Sequence, residues 1–193
     1  RTIVYKGLMV ADQLDRFYPD LVDPRFVSPF ALFHERFSTN TVSRWAMAQP
    51  MRLLAHNGEI NTIKGNRLWM QAREGEIRSG AWGEDLETLR PIVSAAGSDS
   101  FSFDNCLEFL ARSGRDLFHA LLMMVPEPYA KHPRMPQALR EFYTYHESVM
   151  EPWDGPAALV FTDGEVVGAC LDRNGLRPLR YTVHAPMSLR LTD

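Results

Sequence analysis

Cysteine is scarce in this chain: among 193 residues there are two, Cys106 and Cys170. They lie far apart, with neither metal nor redox spacing, and both read as buried, inert thiols, the first in a helix and the second in a strand. The six histidines are scattered without a ligand pattern, so no metal is expected. No apolar run approaches the roughly 20 residues that span a bilayer. No signal peptide is visible, although the chain starts at Arg1 rather than at a methionine, which leaves a processed leader open. Excess charge is also missing: a net charge of −3 and a pI near 6.1 give no reason to expect nucleic acid or an anionic membrane as partner. There are no internal repeats and no low-complexity segments. These absences suit a cytoplasmic (or plastid stroma) enzyme.

What is present is ordinary for one globular domain, 45% hydrophobic and 23% charged. Residues 2–5 form a short β-rich run, and residues 8–17 a brief helix. Alternation over residues 30–37 predicts a strand with Arg36 at its end. Residues 51–55 form an apolar, strand-like segment, and residues 61–74 have helical composition with Gly75 as the stop. A short helix is expected over 84–89. Ser100 is placed to cap a helix running to Gly114, and Asp116 to cap another over 117–125. Residues 137–150 predict a longer helix with Leu139, Tyr143, His146 and Met150 on one core stripe. Residues 157–162, the pair Asp163-Gly164 and residues 166–171 give a clear hairpin signal, and a further strand is expected over 179–183 after the Asn174-Gly175 turn. β-Rich ends around a helical middle make the class α+β, with antiparallel sheets.

The stretch Ala55-His56-Asn57-Gly58-Glu59-Ile60-Asn61-Thr62 is the centre of the sequence. Asn57-Gly58 suits a tight turn with positive φ between a strand and a helix. Such a turn sets a carboxamide NH2 beside a backbone N–H, two donors able to hold a developing oxyanion. Most Asn-Gly pairs are only turns. Equally, Arg36 alone reads as a surface or ion-pair residue, toward Glu35 or Asp12, and Asp99 alone reads as a helix N-cap.

Four motifs occur in order: Arg36-Phe37-Ser38-Thr39-Asn40-Thr41, His56-Asn57-Gly58-Glu59, Ser98-Asp99-Ser100, and Asp172-Arg173-Asn174-Gly175-Leu176-Arg177-Pro178-Leu179. Together they resemble the class II glutamine amidotransferases, whose nucleophile is amino-terminal. The wording is more like the amidotransferase domain of the glutamate synthase large subunit than its purine-pathway or asparagine-forming relatives. The resemblance runs from about Tyr5 to Tyr181. It implies the four-layer α/β/β/α sandwich of amino-terminal-nucleophile hydrolases, incomplete at the N-terminus, with residues 1–193 as part of the amidotransferase domain.

The resemblance also implies roles. Asn57 supplies a side-chain NH2 and Gly58 a backbone N–H to the oxyanion hole. Arg36 grips the glutamine α-carboxylate as a planar two-donor fork, and Asp99 takes the α-ammonium. Thr39 and Asn40 follow as second-rank pocket residues, and the Asp172 motif braces loops. The family nucleophile, a cysteine at the mature amino terminus whose own amino group is the base, has no counterpart here, so this piece alone is expected to be inactive. It is expected to hold no cofactor itself; FMN and a [3Fe-4S] cluster are implied for the full-length enzyme. Implied partners are glutamine, an FMN-binding synthase domain of the same polypeptide, and a small NADPH-oxidising subunit or ferredoxin. Two alternatives stay open: the amidotransferase domain of another class II enzyme, or an inactive amidotransferase-like binding module.

Overall fold

A computed structural model describes residues 2–37, 42–184 and the backbone of 188–192. Its framework is an antiparallel sheet of β1 (Leu54–Gly58), β2 (Ala157–Thr162) and β3 (Val167–Leu171), in the order β1-β2-β3. The β2–β3 hairpin closes as its sequence suggests. Asp163 accepts the N–H groups of Glu165 and Val166 at 2.9 and 3.0 Å, and Gly164 takes a φ of 98° that a Cβ would oppose. β1 comes from a distant part of the chain and pairs with the far edge of β2, with His56 opposite Leu159 and Gly58 opposite Ala157.

The helices are α1 (Leu14–Phe17), α2 (Ile63–Glu74), α3 (Asp99–Arg112), α4 (Leu117–Met124) and α5 (Gln137–Val149). On α3, Phe103, Cys106, Leu107 and Leu110 recur every three or four residues and are buried. Phe103 meets the edge of Trp153 with ring centroids 5.5 Å apart. Asp116 caps α4 as expected, accepting from Phe118 and His119 at 2.9 and 3.2 Å. Tyr143, His146 and Met150 are buried, so the stripe on α5 is core.

Asp104 fastens α3 to the chain entering β1. Its carboxylate accepts the N–H of Arg52 at 3.1 Å and of Leu53 at 2.9 Å, in a buried setting. Burial pushes its pKa up to about 6, against the lowering effect of those backbone donors.

Several elements depart from the sequence reading. No strand forms over residues 30–37. Exposure alternates from Phe30 to Glu35, with Ala31, Phe33 and Glu35 exposed and Phe30, Leu32 and His34 less so, and the pattern breaks at Arg36, which is also exposed. Alternation orients side chains, whereas a strand also needs a partner, and none is present among the described residues. For the same reason the run 2–5 is not a strand. The segment 8–17 is shorter and mixed, a 3-10 turn over Ala11–Gln13 followed by α1. Over Gly83–Leu89 the helix is 3-10. Ser98, not Ser100, caps α3, accepting from Phe101 N at 3.1 Å. Gly75 ends α2 with φ −64°, without a left-handed cap. The expected third strand, β4 (Arg180–His184), pairs with β5 (Ser188–Thr192) in a separate two-stranded sheet.

Two predictions follow from this framework. Asp104 has a folded pKa of about 6 against an unfolded 3.8, so its stabilising contribution is full below about pH 4 and lost as pH rises through 6. Two units correspond to about 3 kcal/mol. The Asp104→Asn variant should therefore gain about 2–3 kcal/mol on the native chain between pH 4 and pH 7.5, read as the difference in urea unfolding free energy. A pH-independent difference would show that burial does not raise this carboxyl. The second concerns Gly58, where an added Cβ would lie 1.8 Å from the Pro156 carbonyl oxygen at a φ of +132°. Gly58→Ala should cost more than about 2 kcal/mol, detectable as a lowered thermal midpoint.

Candidate functional site

The alternation of β1 decides what its two sides present. Thr162 N donates to Leu53 O at 2.8 Å and Glu59 N donates to Pro156 O at 2.9 Å. Odd-numbered residues from 53 to 59 therefore turn their backbone groups toward β2, and residues 54, 56 and 58 turn theirs outward. β1 is an edge strand among the described residues. Its outer edge is covered locally: Met51 N donates to Leu54 O at 2.7 Å. At His56 the carboxamide of Gln49 takes both main-chain groups. His56 N donates to Gln49 Oε1 at 2.6 Å, and Gln49 Nε2 donates to His56 O at 2.9 Å. One side chain thus imitates a neighbouring strand for a single residue. The Gly58 N–H comes next along that same edge.

Asn57 and Gly58 are exposed and form the end of β1 rather than a turn between strand and helix. Only Gly58 has positive φ; Asn57 does not. The reason lies across the sheet, because the Pro156 carbonyl approaches so closely that position 58 has no room for a Cβ. The chain then bends over residues 59–62, and α2 begins at Ile63. A carboxamide and an outward N–H still stand on consecutive residues, as the sequence suggested, but a ladder end positions them.

Asp99 is the first residue of α3 and is half-buried. Its Oδ2 accepts the Ile60 N–H at 2.8 Å, which sets the carboxylate two residues beyond Gly58 in the chain. An ionised carboxylate has acceptor capacity left after one such bond. Ser100 Oγ lies 3.4 Å from Asp99 Oδ1 and 2.8 Å from His56 Nδ1. His56 is only 2% exposed. Burial lowers its pKa first; Asp99 opposes this, while the charges of His34 and Arg177 reinforce it. The imidazole is therefore neutral at neutral pH.

Arg36 is exposed, and its backbone N–H donates to His34 Nδ1 at 3.2 Å. None of the hydrogen bonds that join β1 to Asp99 involves Arg36; the charge of His34 on His56 is what associates its segment with the site. Thr39 and Asn40 lie outside the described residues. The late motif is built around Asp172, which accepts the N–H groups of Ala157, Asn174, Leu176 and Arg177 at 3.0 to 3.1 Å. Burial raises its carboxyl, but these four donors outweigh burial and lower the pKa overall. The loop it organises carries Arg177 toward His56.

Cys106 is buried as expected, whereas Cys170 is only half-buried. Burial pushes the thiols of Cys106 and Cys170 up to about 12. Among the described residues no group of three or more His, Cys, Asp or Glu is placed to hold a metal, and no helix is long and apolar enough to cross a membrane. Sequence alone gave no site role to Gln49 or His56 and made Ser100 only a helix cap. Their sequence signal was their place inside or beside the quoted motifs, and their partners lie 7 and 44 positions away.

Comparison with known proteins agrees with this geometry. The family model described as "Glutamine amidotransferases class-II" matches residues 1–192. Over 183 residues the chain is 55% identical to the glutamate synthase [NADPH] large chain of Bacillus subtilis, covering 95% of this chain and 12% of that protein. It is 53% identical over 185 residues to the chloroplastic ferredoxin-dependent glutamate synthase 2 of Arabidopsis thaliana, covering 94% of this chain and 11% of that one. With ferredoxin-dependent glutamate synthase 2 of Synechocystis sp. the identity is 52% over 186 residues, 95% and 12% of the two chains. The chain thus spans about an eighth of the length of these relatives. A family match over nearly every residue, with identities above 50% to these relatives over about 95% of the chain, establishes that the chain belongs to the class II glutamine amidotransferases.

Proposed function

We propose that this chain forms the greater part of the glutamine site in a glutamate synthase large subunit. The carrying observation is the exposed end of β1. There the Asn57 carboxamide and the outward Gly58 N–H lie three and two residues before Ile60, whose N–H holds Asp99. In this reading the side-chain carbonyl of glutamine lies against Asn57 and Gly58. Attack by a thiolate places negative charge on that oxygen, and the two donors stabilise it. Ammonia leaves, and water releases glutamate from the thioester. Asp99 binds the substrate ammonium and Arg36 its carboxylate, with Thr39 and Asn40 completing the pocket wall.

The attacking thiol is neither Cys106 nor Cys170, whose burial holds them protonated. It is assigned to the family's amino-terminal cysteine, supplied from outside these 193 residues, and the chain is one part of a four-layer α/β/β/α amidotransferase domain. The ammonia passes to a synthase domain that forms glutamate from 2-oxoglutarate, with electrons from NADPH or ferredoxin. FMN and a [3Fe-4S] cluster are assigned to that domain. Of the two expected settings, the plastid one is supported by the printed name of the chloroplastic relative of Arabidopsis thaliana.

Two substitutions test the reading in the full-length protein. Asn57→Ala should lower glutaminase kcat by about 10²–10³, the cost of one lost oxyanion donor. Synthesis from external ammonia should persist. Near-native glutamine turnover would remove Asn57 from the reaction. Asp99→Asn should raise the KM for glutamine by removing the counter-charge, and Arg36→Lys should do likewise, since an ammonium cannot reproduce a two-point fork. An unchanged KM in both would sink the assignment of the two ends of glutamine.

A further inference from the structure

The proposed oxyanion donors lie on an exposed strand end, where an N–H is free to swing unless the preceding residue is fixed. A donor misplaced by a fraction of an ångström stabilises the transition state poorly, because the effect depends on preorganisation rather than on the presence of the group. His56, immediately before Asn57, is fixed unusually well for an edge residue. Its main-chain N–H and C=O are both held by Gln49, at 2.6 and 2.9 Å. Its buried imidazole is held through Nδ1 by Ser100, at 2.8 Å. Ser100 also reaches Asp99, whose other oxygen holds Ile60 N. The two donor residues are therefore flanked on both sides by anchored backbone, with the two anchors joined through Ser100.

The Gln49 clamp has a second property. A neighbouring strand would cover the whole outer edge of β1, including the Gly58 N–H. A single carboxamide satisfies residue 56 and stops there, so the edge is rigid at 56 while its next outward N–H belongs to the exposed residue 58. A carboxamide is the side chain suited to this work, since it carries a donor and an acceptor side by side as a peptide group does.

We propose that Gln49 and Ser100 are positioning residues for glutamine hydrolysis, acting through His56 to fix the aim of the Asn57 and Gly58 donors. Neither touches the substrate. Gln49 holds the strand direction, and Ser100 ties that strand to the head of α3, where Asp99 sits. This proposal rests on the glutaminase reading above and adds residues to it. The device stabilises charge that exists only in the transition state, so its loss reduces kcat and kcat/KM together and leaves KM nearly unchanged.

The test uses the full-length protein, with glutamine-dependent and ammonia-dependent synthesis measured on the same preparations. Gln49→Ala is expected to lower glutamine-dependent kcat about 10- to 100-fold with KM within about twofold of native, and to leave ammonia-dependent synthesis intact. Ser100→Ala is expected to act in the same direction, and Ser100→Thr, which keeps the hydroxyl, to restore most of the loss. Intact ammonia-dependent synthesis shows that the protein is folded; if Gln49→Ala does not fold, the serine pair decides alone. Asn57→Ala is run in parallel to separate the two readings. If Asn57→Ala collapses hydrolysis while Gln49→Ala and Ser100→Ala stay within about twofold of native, the positioning role is wrong and the glutaminase reading stands. A rise in KM at native kcat overturns the positioning role as well. If Asn57→Ala itself is harmless, the glutaminase reading fails first.

Discussion

The hydrogen bond from Glu59 N–H to the Pro156 carbonyl, 2.9 Å long, governs the geometry of the site. It draws the end of β1 against the start of β2 so closely that only glycine fits at 58. It also fixes the alternation of the strand, and with it the outward direction of the Gly58 N–H. The tightness has a local origin in the neighbouring loop. Gly155 takes φ +151°, with Glu59 O 2.1 Å from its ideal Cβ position, so each glycine admits the backbone of the other's chain neighbour. Side chains at either place would separate the strands and turn the donor away.

Around this contact the chain uses polar side chains as substitutes for backbone partners. Gln49 serves as a strand for His56, Asp99 receives Ile60, Asp104 receives Arg52 and Leu53, and Asp172 receives the N–H of Ala157 and three N–H groups of the turn after β3. Each removes the penalty of an unpaired backbone group at a place where regular structure ends. Asp104 shows what such a device costs when it is buried: its carboxyl is raised to about 6, whereas Asp172, with more donors, stays lowered. Asp104 is the more deeply desolvated of the two and also feels the charge of Glu108, so burial wins there and the donors win at Asp172.

The same economy explains why the site is at an edge. A central strand has all its backbone groups committed to neighbours, so an N–H aimed at a ligand requires an edge or a break in the ladder. β1 is an edge strand whose outer side is occupied at 54 and 56 by short-range substitutes. Position 58 follows in the same phase, with α3 delivering a carboxylate through Ile60. The rigid strand and the capped helix head thus supply opposite parts of one small polar site.

The sequence by itself determined the α+β class, the β2–β3 hairpin with its Asp163 turn, the Asp116 cap, the core stripe of α5 and the four motifs that mark the family. All of these rest on near neighbours: a turn, a cap or a periodicity is written within a few residues, and motif order needs no folding to be seen. It also named Asn57, Gly58 and Asp99, which the fold brings into one neighbourhood. Tertiary structure alone decided that Asn57-Gly58 ends a strand instead of making a turn, since the Pro156 carbonyl that enforces it lies about a hundred residues away. It decided that residues 30–37 form no strand among the described residues, because a strand is made by its neighbour. It also decided that Ser100 serves His56 rather than capping α3, and that Gln49 stands in for a strand. Those roles depend on which backbone groups are left without partners once the sheet has formed, and no local pattern in the chain encodes that remainder.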